Sequence, residues 1–192
     1  MPAVDLRRRW TAREVRQLTA DAPGWWPRYE LIDGELIVTP SPGGPHQFAV
    51  TELLFALKGY CDAHGVGMAL TSPADIELEP ESVRQPDVFV LPLEEGKRVA
   101  REDFPARELI LAVEVVSPST ANVDRGIKRE LFQRRVSEYW VVDTDTRIVE
   151  RWRPNNVAAE ILTEQLAWQP AGATAPLILD LVALFRRAHA ED

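Results

Sequence analysis

The spacing of apolar residues changes several times along the chain, and each change predicts an element. Thr11 stands three residues before Glu14, the pairing of a capping box, and Trp10 and Val15 hold the two positions of a hydrophobic staple. A short helix is therefore predicted over about Ala12 to Thr19. Tyr29-Glu30-Leu31-Ile32 and Glu35-Leu36-Ile37-Val38 flank Asp33-Gly34, the dipeptide that a type I′ turn requires, so these residues form a β-hairpin. In that register Tyr29, Leu31, Leu36 and Val38 share one face, and Glu30, Ile32, Glu35 and Ile37 share the other.

Prolines and glycines between Thr39 and Pro45 mark a loop into a second helix near His46. Val50, Leu53, Leu54, Leu57 and Cys61 then recur at helical spacing, and Gly65 ends the helix. Strands are predicted at Met68 to Thr71, Ile76 to Glu79 and Asp87 to Leu91, followed by a loop from Pro92 to Pro105. The run Glu108 to Val116 is apolar on both faces, as a central strand covered on both sides should be. Beyond a loop at Ser117 to Thr120, a helix over about Asn122 to Arg135 is expected to bury Val123, Ile127 and Leu131. Strands at Tyr139 to Val142, Arg147 to Trp152 and Ala159 to Leu162 follow, and an amphipathic helix closes the chain between Leu177 and His189. This order predicts a mixed α/β architecture with helices for both faces of a sheet.

Composition narrows the class. The 192 residues fit one domain, and 45% hydrophobic content excludes a disordered or fibrous chain. A net charge of −8 leaves no overall basic field to hold nucleic acid, so any such contact must be local. With Cys61 as the single cysteine there is neither an intrachain disulfide nor a multi-cysteine zinc site, and a reducing compartment, the cytoplasm, is expected. No apolar run follows Arg7, Arg8 and Arg9, so no secretory signal is expected, and no stretch reaches the length of a membrane span.

Glu114 is the first candidate for chemistry, because a carboxylate inside an apolar strand loses solvation and is tolerated when paired or ligating a cation. The alternative is a buried salt bridge. Asp87 opens a strand directly after Pro86. Lys128, at about 100° per residue, borders the stripe of its helix, where it either leans over the end of the Glu114 strand or pairs with Asp124 in solvent. Glu30 either completes a metal shell or points to solvent. His46 opens a helix after a loop, a position for capping or anchoring, and His64 and His189 join no constellation. No zinc signature and no phosphate-cradling glycine loop is present.

The order Tyr29-Glu-Leu-Ile-Asp-Gly-Glu35, His46, Pro86-Asp87-Val88, Leu111-Ala-Val-Glu-Val-Val-Ser-Pro118, Asp124 to Lys128 and Ser137-Glu-Tyr-Trp-Val-Val-Asp143 resembles the Uma-two family of restriction endonuclease-like proteins, formerly a domain of unknown function, in the PD-(D/E)XK nuclease superfamily. The resemblance runs from about Trp10 to Phe185. It implies a restriction-endonuclease-like mixed sheet flanked by helices, with an N-terminal helix and hairpin, in one domain. It further implies a DNA endonuclease dependent on Mg2+ or Mn2+, with Asp87 and Glu114 as metal-binding carboxylates, Lys128 as the basic partner, Glu30 as a supporting acid and a two-fold homodimer as the cutting form. Two positions depart from the pattern. Val116 replaces the lysine expected two residues after the second acid, a role moved to Lys128, and Phe132 stands where the family often has tyrosine. A nuclease-fold binding or regulatory protein without cleavage, and a hydrolase of another phosphodiester or a small molecule, are the alternatives. A local DNA groove would draw on Arg125, Lys128, Arg129, Arg134 and Arg135, which could equally be a solvated helix face.

Overall fold

The computed structural model describes residues 8–22, 24, 27–39, 41–116 and 121–191. Helix α1 (Ala12–Asp21) starts at Thr11, whose hydroxyl accepts from the Glu14 amide while the Glu14 carboxylate takes the Thr11 amide, the full capping box. Strands β1 (Arg28–Ile32) and β2 (Glu35–Thr39) pair antiparallel with Leu31 opposite Leu36. Asp33 and Gly34 both have positive φ, 49° and 82°, as a type I′ turn requires. Trp10, Val15, Tyr29, Leu31 and Leu36 join Val83 in a small core that fixes α1 against the hairpin. The opposite hairpin face holds Glu30 and Ile32, each 2% exposed, against the body of the fold.

The main sheet has six strands in the order β3 (Met68–Thr71), β4 (Val88–Leu91), β5 (Leu111–Val116), β6 (Glu138–Asp143), β7 (Ile148–Trp152) and β8 (Glu160–Leu162). β5 and β6 run parallel and the other neighbours antiparallel. Strand alternation sorts the core into two layers. Val88, Val90, Leu111, Val113, Val115, Trp140 and Val142 face helix α2 (Gly44–His64) and helix α6 (Leu181–Ala188), where Leu53, Leu57, Leu184 and Phe185 meet them. Phe89, Leu91, Ala112, Val116, Tyr139 and Val141 face the other way, toward Ile76 and Phe132. Glu114 lies between Ala112 and Val116 in the alternation and so belongs to this second face.

Several predicted elements are corrected. Residues 76–79 form no strand, and Ile76 makes only isolated bridges to Arg84 and Ala106. The stretch predicted as a loop after Pro92 contains helix α3 (Leu93–Glu102), whose buried face is Glu95, Gly96 and Val99. That face carries one large apolar residue, so hydrophobic periodicity could not reveal it. The C-terminal segment begins as a strand: β9 (Gln165–Trp168) pairs with β10 (Leu177–Asp180), and Asp180 then caps α6 through the Ala183 amide.

The largest departure lies after β5. The predicted loop at residues 117–120 falls outside the described residues. The helix beyond it is broken into α4 (Ala121–Val123), one π turn over Asp124–Lys128, and α5 (Arg129–Arg135), with Gly126 leaving helical geometry at φ −99° and ψ −106°. A widened turn shifts the helical phase. Ile127, expected inside, is 44% exposed, whereas Asp124 and Lys128 are 3% and 4% exposed and continue inward with Leu131 and Phe132.

Candidate active site

Two clusters of charge meet at the end of the β4–β5 pair. Val88 pairs with Val113, and one further step of that antiparallel register sets Asp87 against Glu114. Phe89 and Leu91 lie on the same sheet face as Ala112 and Val116, so the alternation assigns Asp87 and Glu114 to one face.

The first cluster surrounds Lys128. Its Nζ lies 2.8 Å from Glu30 Oε2, 3.1 Å from Glu114 Oε1 and 3.1 Å from Asp124 Oδ1, with every one of these side chains almost wholly buried. The hairpin supplies Glu30, the central strand Glu114 and the π turn both Asp124 and Lys128. Three carboxylates therefore contact one ammonium. Arg84, 3% exposed, adds a second positive charge, which Glu30 and Glu114 favour against its burial, and its Nη1 donates to the Leu31 carbonyl. Burial pushes the Glu114 carboxyl well above the usual carboxylate range, Lys128 opposes this, and Asp124, Asp87 and Glu30 reinforce it. Burial works against a charged Lys128, yet Glu114, Glu30 and Asp124 outweigh it and hold the amine charged well past its ordinary range. The cluster is an ammonium with one easily protonated carboxyl.

The second cluster fixes Asp87. Arg28 Nη2 donates to Oδ1 at 2.9 Å, His46 Nε2 lies 3.1 Å from Oδ2, and the Val115 amide donates to Oδ2 at 2.9 Å. Burial alone would raise the Asp87 carboxyl, but the His46 hydrogen bond, the His46 and Arg28 charges and the Val115 amide bring it down to about 2. Glu30 links the clusters, since its Oε1 accepts the Gln85 amide at 2.9 Å while Arg28 Nη1 donates to the Gln85 carbonyl at 3.2 Å.

All four predicted site residues thus stand at this one end of the sheet. Lys128 is turned inward onto Glu114 and Glu30, and its pairing with Asp124 occurs in the interior rather than in solvent. Sequence reasoning missed Asp124, Arg28 and His46 as members. His46 anchors Asp87 from 41 residues away, a contact that no local pattern carries.

A family model described as "Putative restriction endonuclease", Uma2, matches residues 13–181. The chain belongs to the Uma2 family. A solved structure described as a "putative nuclease belonging to DUF820", from Anabaena variabilis ATCC 29413, matches with a TM-score of 0.78 at 19% identity, covering 93% of this chain and 99% of that one. At that identity the likeness establishes the nuclease fold. No curated protein matches the chain.

Two features of this Uma2 protein follow from its departures. Val116 is 3% exposed and packs in the second core layer, so no charged side chain is missing from solvent there. Phe132 stacks on Tyr139 at 5.1 Å between ring centroids, and the Tyr139 hydroxyl donates to the Asp124 carbonyl at 3.0 Å, bracing the π turn that delivers Lys128. The basic residues beyond it are engaged with acids: Arg125 with Asp143 at 2.7 Å and Glu150 at 2.5 Å, and Arg134 and Arg135 with Glu79. Arg129 lies over the Trp152 ring. A free basic stripe is not what they form.

Asp87 predicts an acid limb of stability. Its carboxyl titrates near 2 when folded against an ordinary value of 3.8, so its contribution is full above the ordinary value and fades as pH falls from about 4 to 2. Urea unfolding between pH 2 and 6 should show a loss of about 2 kcal/mol that Asp87→Asn removes. Equal pH slopes for the two proteins would contradict this.

Proposed function

We propose that this Uma2 protein is a divalent-metal-dependent DNA endonuclease hydrolysing phosphodiester bonds, with Asp87 and Glu114 as metal-binding carboxylates, Lys128 as the basic partner and Glu30 as the supporting acid. The observation that carries the reading is the buried excess of carboxylate around Lys128, next to an Asp87 held ionised by Arg28 and His46. Burying acids in this ratio beside Lys128 and Arg84 pushes Glu114 toward its neutral form, and a further cation would relieve the same repulsion.

The donor chemistry fits magnesium or manganese, both of which take hard oxygen ligands. Among the described residues no three His, Cys, Asp or Glu side chains form a ready cradle. Magnesium commonly needs only one or two carboxylates, with substrate phosphate and water completing its shell, so Asp87 and Glu114 suffice in kind and number. Bound there, the ion would stabilise charge on the scissile phosphate and ionise water near neutral pH. The chain's own residues do the rest. Arg28 and His46 orient Asp87, Glu114 would be ionised beside a bound cation, and Lys128 holds Glu114 and Glu30 in place and would supply a fixed positive charge for the phosphate. A two-fold homodimer would place two such sites for cutting both strands.

The competing reading is a nuclease-fold nucleic-acid-binding or regulatory protein, favoured by the closure of the carboxylates on Lys128 and the 3% exposure of Glu114. Supercoiled plasmid separates the two. With magnesium or manganese, nicked and linear DNA should accumulate, and chelator should stop it. Plasmid that stays intact with either ion overturns the nuclease reading in favour of the binding protein.

A further inference from the structure

The six-stranded sheet ends at β3, and among the described residues no strand pairs with its outer side. The Ser72 amide donates to the Asp87 carbonyl at 3.3 Å, in the same register that sets Leu70 opposite Phe89. Hydrogen-bonded and non-hydrogen-bonded pairs alternate in an antiparallel ladder. Met68, Leu70 and Ser72 therefore bond inward to β4, and the backbone groups of Ala69 and Thr71 point outward. We propose that this outward edge joins a second copy of the chain, β3 to β3, about a two-fold axis through Leu70. The interface needs neither the cleavage reading nor a metal.

Three observations favour a second copy. First, the outward residues sit one on each side of Leu70. Turned about Leu70, the strand sets Ala69 against Thr71 of the second copy and Thr71 against its Ala69, so each outward N–H meets a carbonyl without a shift of register. Leu70, 38% exposed, then faces its own counterpart at the axis, a cross-strand apolar pair. Second, Met68–Thr71 contains neither charge nor proline, the residues that guard many free edges. The opposite edge, β8, carries Glu160, bound by Arg151 and Arg153. Third, a groove of about 420 Å³ runs between the β3 edge and α2, lined by Leu54, Lys58, Asp62 and Leu70. Lys58 and Asp62 pair with each other at 2.7 Å, so this flank carries no net charge to repel its copy. Phe55, 74% exposed and one turn from Lys58, adds apolar surface for the joint to cover.

An axis perpendicular to the sheet keeps both Asp87 residues on one sheet face. At about 3.4 Å per residue and about 4.8 Å per strand they stand roughly 20 Å apart. Two sites on one face suit a cut through both strands of a duplex, and that consequence alone rests on the nuclease reading.

Sedimentation velocity in chelator, without nucleic acid, reads the assembly. Wild-type protein should run as a dimer. Leu70→Lys sets two ammonium groups face to face and should weaken the dimer at least about 100-fold, whereas Ile161→Lys, at an exposed position of the opposite edge, should leave it intact. Leu70→Cys gives a second readout. A non-hydrogen-bonded pair holds its Cα atoms about 4.5 Å apart, within disulfide range, so mild oxidation should link two Leu70→Cys chains and leave Ile161→Cys chains single. Cys61 is fully buried and takes no part. A monomeric wild type, a dimer that survives Leu70→Lys or is lost in Ile161→Lys, or Leu70→Cys chains that stay unlinked overturns the interface. A dimer alongside intact plasmid in the cleavage experiment would remove the nuclease reading and keep the interface. Cleaved plasmid with monomeric protein would do the reverse.

Discussion

Lys128→Met should lower the unfolding free energy by about 3–5 kcal/mol, the penalty for stranding buried charge when one partner of an interior ion pair is removed. An exposed pair would be worth about 0–1 kcal/mol, and the geometry decides between these scales. Lys128 is 4% exposed and its Nζ touches Glu30, Glu114 and Asp124, each almost fully buried. Methionine keeps most of the aliphatic volume, so the loss is electrostatic. The remaining carboxylates would have Arg84 nearby, and Glu30 would keep the Gln85 amide, but the shared ammonium that all three contact would be gone. Protonating one of them removes part of the penalty, so the double variant with Glu114→Gln should recover stability relative to Lys128→Met, and the deficit should shrink at acid pH. Urea unfolding at pH 7 and pH 5 checks both. A loss under about 1 kcal/mol would mean that the cluster opens to water and is not a buried ion network.

How much of this was legible in the sequence varies by element, for physical reasons. Thr11 and Glu14 act within four residues, and Asp33-Gly34 within two, so the capping box and the hairpin turn could be read directly. Glu114 could be singled out because its strand is apolar on both faces. The inward turn of Lys128 could be only half read. Its helical phase depends on the π turn at Gly126, which places Lys128 where an uninterrupted helix would put Ile127. Helix α3 escaped because its buried face is a glycine, one valine and a glutamate neutralised by Arg98 at 2.8 Å. The partners of Asp87, Arg28 and His46, come from a hairpin and a helix distant in sequence, and only the packed fold brings them together. Local chemistry announced the acids, while tertiary packing chose their counter-charges.

That choice of counter-charges gives the carboxylates unequal roles. Asp87 is ionised and tethered by Arg28, His46 and the Val115 amide, whereas Glu114 shares one ammonium with two other acids and is pushed toward its neutral form. A pair of acids with opposite titration tendencies at one end of a sheet is the arrangement expected of a site waiting for further positive charge. On the proposed function, an acidic chain would attract its phosphodiester substrate through the ion and Lys128 at the site rather than through the surface arginines, which are paired with acids.

Glu114→Gln should therefore separate stability from turnover. It removes one of three acids from the Lys128 ammonium and relieves the carboxyl that burial disfavours most, so in chelator the variant should be as stable as wild type or more stable by about 1 kcal/mol. On the proposed mechanism the same change deletes a metal-binding oxygen, and cleavage of plasmid with magnesium or manganese should fall by at least about 100-fold. Lys128→Met and Glu114→Gln thus move stability in opposite directions although they break the same 3.1 Å contact. A single structural salt bridge would lose stability from either side. Thermal unfolding in chelator and a plasmid cleavage time course measure the two quantities on the same preparation. A Glu114→Gln protein that unfolds several degrees below wild type would make Glu114 a structural partner of Lys128, and one that cleaves at the wild-type rate would remove Glu114 from the chemistry.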